Sequence, residues 1–82
     1  METRDDILAE IKTIMIEMFE VDDSKITLAA SLYEDLDFDS IDAIDMIVRL
    51  KEMTGKAVNP EDFRSARTIN DVVDVVEKML KE

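Results

Sequence analysis

Glu34-Asp35-Leu36-Asp37-Phe38-Asp39-Ser40-Ile41-Asp42-Ala43-Ile44-Asp45 is the stretch on which the reading of this chain turns. It holds six acids and no base, and it runs from a loop into a helix. Asp39 is a capping residue, Asp42 follows it three positions later, and the apolar residues beyond fall at helical spacing. The same start signal occurs at Thr3/Asp6, Asn59/Asp62 and Thr68/Asp71. In each, the first side chain can accept from a free backbone N–H, and the Asp lies near the positive helix end. Asp is shorter than the Glu of a full capping box, so the sequence supports only the cap and the dipole contribution, about 1 kcal/mol per cap.

Working outward, the second helix is predicted from near Ser40 to near Thr54, where Gly55 can supply a left-handed terminus. The first helix is predicted over about Arg4 to Phe19, with Ile7, Leu8, Ile11, Ile14, Met15, Met18 and Phe19 forming its apolar face. A short helix is predicted near Pro60 to Ala66, with Phe63 pointing inward, and a final one over about Ile69 to Leu80. The last shows its apolar stripe in Ile69, Val72, Val73, Val76 and Leu80. The stretch Glu20 to Asp39 is too long for a casual connection. Val21, Ile26, Leu28, Leu32, Leu36 and Phe38 are expected to pin it onto the core, with one helical turn at Asp22 to Lys25. The expected fold is all-α: a small four-helix bundle of three main helices and one short helix with a long first loop, in a single domain over residues 1–82.

Composition narrows the function classes. A chain of 82 residues buries only about 60% of its unfolded surface, which leaves one core and little room for a second site. One Gly and one Pro are too few for the turns of an all-β fold. Of the net charge of -11, residues 1–48 hold 14 acids and 3 bases, whereas residues 49–67 hold 3 acids and 5 bases. The acidic first half repels nucleic acid and anionic lipid and attracts basic protein surfaces. Absence of Cys excludes disulfides and thiol chemistry, and absence of His removes the commonest general base and zinc ligand. No apolar run reaches a membrane span, and Met1-Glu2-Thr3-Arg4 does not open a signal peptide. A cytoplasmic monomer, without nucleic acid or membrane insertion, is the expectation.

Four readings of the acidic run compete. As a calcium loop, Asp35, Asp37 and Asp39 fit positions 1, 3 and 5, but Ser40 replaces the required Gly and Met46 the required Glu. Paired-carboxylate catalysis needs a cleft that so small a domain can hardly build. The run could also be a solvated acidic face. Finally, Ser40 could be a covalent carrier site, because a phosphodiester there would meet the positive helix end and free N–H donors. The second helix is apolar on two opposite sides at about 100° per residue. Ala43, Met46, Ile47 and Leu50 are assigned inward. Ile41, Ile44 and Val48, edged by Asp42 and Asp45, either dock a basic partner or pack beneath the long loop.

The stretch Ala30-Ser31-Leu32-Tyr33-Glu34-Asp35-Leu36-Asp37-Phe38-Asp39-Ser40-Ile41-Asp42 resembles the acyl carrier protein family. The family's Asp-Ser-Leu hallmark is matched by Asp39-Ser40-Ile41, and Leu36 matches the leucine before it. The resemblance extends over the order of helices, the length and the charge. It departs at Asp37, where many members have Gly, and in the third-helix region, where Arg64 and Arg67 interrupt an often acidic segment. The run Asp39 to Met46, with Thr54-Gly55-Lys56 and Arg67-Thr68, looks like type II polyketide-like carriers, including those of aryl polyene pathways.

The resemblance implies a carrier with no catalytic residue and no metal. It implies 4'-phosphopantetheine from coenzyme A attached to Ser40, with Asp39 as motif residue and cap, and acyl intermediates held as thioesters for type II fatty acid or polyketide-like synthesis. It implies docking through Asp37, Ile41, Asp42, Ile44, Asp45 and Val48. The implied partners are a phosphopantetheinyl transferase and acyl-transfer and synthase enzymes with basic docking surfaces. A peptidyl or amino-acyl carrier shares the attachment chemistry. An acidic interaction module with Ser40 unmodified is the alternative from another class.

Overall fold

The helices form where the caps and the periodicity place them. A computed structural model describes residues 3–81. Helix α1 spans Arg4–Phe19, α2 Ser40–Thr54, α3 Pro60–Ser65 and α4 Ile69–Lys81, with a 3-10 turn at Asp23–Lys25 in the first loop. Among the described residues, the one extended pairing is an isolated antiparallel bridge between Ser31 and Thr68. The chain is therefore all-α, with three main helices and one short one. Helix α1 packs along α4, while α2 and α3 pack against each other and against α4.

Helix α4 is the shared wall. Its Ile69, Val72, Val73 and Val76 are wholly buried. They join one core with Ile7, Ile11 and Met15 of α1, Met46 and Leu50 of α2, and Phe63 of α3. Each side chain of this kind contributes about 1.5–3 kcal/mol by leaving water. The stripe of α4 ends differently from the sequence pattern: Met79 is buried and Leu80 only partly so. At that end the cover comes from the α2–α3 connection, where Val58 is buried and Lys56 Nζ donates to the Met79 carbonyl at 3.0 Å.

The caps are also more complete than expected. Thr3 and Asp6 bond reciprocally, at 3.1 and 3.3 Å, and so do Thr68 and Asp71, at 3.2 and 3.1 Å. An Asp carboxylate thus reaches back to the cap N–H despite its shorter stem, and α1, α2 and α4 each begin with a closed box. Asn59 caps α3 singly, accepting from the Glu61 N–H at 2.9 Å beside Pro60. Helix α1 ends without glycine: Glu20 itself turns left-handed at φ 55°.

The first loop is held by side chains at most of the expected places and by backbone at the rest. Ile26, Leu32, Leu36 and Phe38 are buried and Val21 is partly so. Leu28 departs from the pattern, with 45% exposure. Here the backbone makes the tie, since the Leu28 carbonyl accepts from Asn70 N–H at 2.9 Å and the Ala30 carbonyl from Ile69 N–H at 3.1 Å. Met18, expected on the inner face of α1, lies at its rim with 44% exposure.

Candidate functional site

The acidic run is built by alternation. Leu36 and Phe38 are buried, whereas Asp35, Asp37 and Asp39 between and beside them are exposed. The Phe38 ring lies 4.9 Å from that of Phe19, tilted by 45°, and ties the run to the end of α1. Phe38 N–H donates to the Leu32 carbonyl at 2.9 Å, and Leu32 N–H donates to the Arg67 carbonyl at 2.8 Å. The chain then turns into α2 through Asp37, whose φ is 56°. Asp is one of the few residues with a side chain that visits the left-handed region. This accounts for a departure noted in the sequence: a family that often has Gly here meets the same backbone requirement without strain.

Asp39 organises the start of α2. Its Oδ1 accepts from Ile41 N–H and from Asp42 N–H, both at 2.9 Å. Its own N–H donates to Asp42 Oδ2 at 3.2 Å, and its carbonyl accepts from Ala43 N–H at 3.0 Å. The donors that the sequence reading left free for a phosphodiester are thus occupied by the cap. The positive helix end and the Ser40 N–H, which has no hydrogen-bond partner among the described residues, are what remain. Ser40 is the first residue of the helix and is exposed.

The three Asp residues of the calcium-loop reading have separate tasks. Asp35 Oδ2 accepts from Ser31 N–H at 2.7 Å, Asp37 makes the left-handed turn, and Asp39 caps the helix. Among the described residues, no group of three His, Cys, Asp or Glu side chains is placed to hold a metal ion. An acidic hollow of about 550 Å³ lies along the run between Asp35, Asp37 and Asp42 and the α1 end at Glu20 and Asp22, and Ser40 does not line it.

The two faces of α2 separate cleanly. Met46 and Leu50 are fully buried, and Ala43 and Ile47 are partly buried against the same core. Ile41, Ile44 and Val48 are 67%, 61% and 49% exposed, so this stripe does not pack beneath the loop. Asp45 is exposed on the same helix, Asp37 is exposed in the turn that precedes it, and Asp42 is partly buried.

A second hollow, of about 410 Å³ and mainly apolar, opens beside Ser40. Ser40, Ala43, Ile44 and Ile47 form its α2 wall, and Pro60, Phe63 and Arg64 its α3 wall. Tyr33 and Asp39 complete the rim. Tyr33, Ala43, Ile47 and the α3 residues carry no signal in the sequence that places them at the site. Periodicity marked Ala43, Ile47 and Phe63 as inward, but only the packing of α3 on α2 makes them line a space that reaches Ser40.

Away from the run, the joint between α3 and α4 is held by a carboxylate. Asp71 is kept below its ordinary value of 3.8, chiefly by the Arg67 N–H and further by Thr68. Asp22 is lowered likewise by the Ser24 N–H and hydroxyl.

The family model described as a phosphopantetheine attachment site matches residues 9–76. The chain is 45% identical over 78 residues to acyl carrier protein 2 of Ralstonia nicotianae, covering 95% of this chain and 96% of that one. It is 34% identical over 80 residues to the acyl carrier protein of Thermotoga maritima, covering 98% and 99%. With that of Rubrobacter xylanophilus it shares 36% over 73 residues, 89% and 90% of the two chains.

The chain belongs to the acyl carrier protein family. Members of this family carry acyl groups rather than transform them, and do so on covalently bound 4'-phosphopantetheine. The residues present fit that group. An acyl carrier protein needs an exposed hydroxyl for the phosphodiester, an apolar space within reach of it, and a face on which enzymes can dock. Ser40 is an exposed hydroxyl, the mainly apolar hollow between α2 and α3 opens beside it, and Ile41, Ile44 and Val48 are exposed on the same helix. No helix among the described residues is long and apolar enough to cross a membrane.

Proposed function

We propose that Ser40 is the attachment residue and that the chain presents thioester-bound acyl intermediates to the enzymes of type II fatty acid or polyketide-like synthesis in the cytoplasm. The observation that carries this reading is the position of Ser40. It is an exposed hydroxyl, on the first residue of α2, within an Asp39-Ser40-Ile41 motif, at the edge of a mainly apolar hollow between α2 and α3. In loading, the Ser40 Oγ bonds to the phosphorus of the pantetheine phosphate of coenzyme A. The bond to the nucleotide phosphate breaks, adenosine bisphosphate leaves, and the hydroxyl proton passes to a base of the transferase. The arm supplies a terminal thiol that holds the acyl group as a thioester, which this cysteine-free chain cannot itself provide.

The chain's own residues hold the frame. Asp39 and Asp42 fix the first turn of α2, so that Ser40 starts from one geometry. Ala43, Ile47 and Phe63 give a retracted acyl chain an apolar wall. Ile41, Ile44 and Val48 are a docking stripe for an apolar groove, and Asp37, Asp42 and Asp45 match a basic rim around it. Weak docking suffices, because the tether keeps the cargo at high local concentration once one enzyme is engaged.

Intact mass after incubation with coenzyme A and a phosphopantetheinyl transferase tests the assignment. One phosphopantetheine is expected on the wild type and none on Ser40→Ala. No adduct, or an adduct that survives on Ser40→Ala, overturns it.

A further inference from the structure

Resting on the attachment of the arm at Ser40, we propose that Arg64 is a positioning residue for that arm and is the counter-charge of its phosphodiester. The surroundings of Ser40 oppose an added anion. Glu34, Asp35, Asp37, Asp39, Asp42 and Asp45 all lie within six residues of it, in a chain of net charge -11. The backbone donors of the first turn offset little of this, because Asp39 already takes the N–H groups of Ile41 and Asp42 and leaves only that of Ser40. Among the described residues, the sole cation lining the hollow with Ser40 is Arg64, on the α3 wall opposite Ser40.

Arg64 also differs from most of the chain's other cations. Arg4, Lys12, Arg49, Lys78 and Lys81 each hold a carboxylate, and Lys56 donates to the Met79 carbonyl. Arg64 has no hydrogen-bond or ion-pair partner among the described residues, in a chain where acids outnumber bases by 21 to 10. A guanidinium left unpaired in so acidic a molecule, facing a hollow whose other walls are mostly apolar, is available to an anion that arrives from outside the chain. A guanidinium suits a phosphodiester in particular, because its planar fork can donate to two oxygens at once. Held there, the first segment of the arm lies over the mouth of the hollow between α2 and α3, and the cargo end is directed toward its apolar wall.

The test compares apo and loaded protein for the wild type, Arg64→Gln and Arg67→Gln. Arg67 is exposed, carries the same charge and does not line the hollow. Intact mass first establishes loading of each; failure to load on Ser40 would count against the attachment reading and not against Arg64. For loaded protein, the shift in melting temperature on loading at low salt is expected to be about 2–4 °C more favourable in the wild type than in Arg64→Gln. That gap closes in about 1 M salt, where screening acts within about 3 Å. The ³¹P resonance of the arm moves in Arg64→Gln and stays in Arg67→Gln. Equal loading shifts in the wild type and Arg64→Gln, or a ³¹P resonance indifferent to Arg64, overturns the proposal. The same holds if Arg64→Gln slows loading by the transferase while both physical readouts are unchanged, which makes Arg64 a partner contact instead.

Discussion

Truncating α2 on its two sides should give opposite losses. Leu50 has no exposed surface and sits in the common core, so Leu50→Ala should cost about 2–5 kcal/mol. A domain of this length has about 4–12 kcal/mol in total, so that substitution removes a large part of it. Ile44 is 61% exposed. About two fifths of the 1.5–3 kcal/mol for a fully buried side chain is then at stake, roughly 0.6–1.2 kcal/mol, and the better helix propensity of Ala offsets part of it. The net cost of Ile44→Ala should be about 0–1 kcal/mol, or less than about 8 °C in melting temperature, against about 10–30 °C for Leu50→Ala. Urea unfolding of the apo proteins followed at 222 nm measures both. The functional order is reversed: Ile44→Ala should lower the kcat/KM for loading by a phosphopantetheinyl transferase about tenfold, as for a central interface residue worth roughly 1.4 kcal/mol. A loss above about 2 kcal/mol for Ile44→Ala would show that the stripe packs within the molecule in solution. Unchanged loading by a stably folded Ile44→Ala would remove Ile44 from the transferase interface.

Other perturbations test the frame around Ser40. Asp37→Gly relieves a left-handed backbone that costs an ordinary residue about 1–2 kcal/mol, against about 0.5–1 kcal/mol of added chain entropy, so a urea midpoint equal to or above that of the wild type is expected. A clear fall would show that the Asp37 carboxylate itself holds the turn. Asp39→Ala removes a cap with two accepted N–H groups and should cost about 0.5–2 kcal/mol by the same assay, whether or not the arm is attached. Asp71 is held below 3.8 by the Arg67 and Thr68 donors, so its contribution is complete above the unfolded value and is lost as pH falls through the lower folded value. Melting temperatures between pH 5 and 2 should therefore show the advantage of the wild type over Asp71→Asn shrinking below about pH 4. A constant difference across that window would show that Asp71 acts without its charge.

Residues that carry local signals were legible in advance. The caps at Thr3, Asp39, Asn59 and Thr68 and the glycine at position 55 set every helix start and the end of α2, because each acts within one turn of itself. Periodicity found the buried faces for the same reason. What escaped depended on neighbours distant in sequence. Met79 rather than Leu80 is buried, at the end of α4 where Lys56 of the α2–α3 connection reaches the Met79 carbonyl. Leu28 is tied by its carbonyl to Asn70, and hydrophobicity carries no trace of a backbone bond. The hollow beside Ser40 exists only because α3, six residues long, lies against α2. The motif Asp39-Ser40-Ile41 could be read from the sequence, but the wall facing it could not.

The acids of the run are not equivalent, although the sequence presents them as one block. Asp39 and Asp42 close the box at the start of α2, and Asp35 holds the Ser31 N–H, so charge and hydrogen bonding are combined in these three. Asp37 has a backbone task in its left-handed turn. Asp45 is exposed beside Ile41 and Ile44, with no hydrogen bond or ion pair among the described residues. Replacing Asp42 or Asp39 therefore disturbs the helix that presents Ser40 together with the field that attracts a basic partner. Replacing Asp45 changes the field alone. If docking is governed by the summed negative potential, Asp45 should influence association rate and its salt dependence as strongly as Asp42, while leaving the fold untouched. The run is dense in acids because two demands fall on the same residues. A helix start buried on one side needs short carboxylates for its caps, and the docking surface proposed for basic enzymes would need charge without deep interlocking.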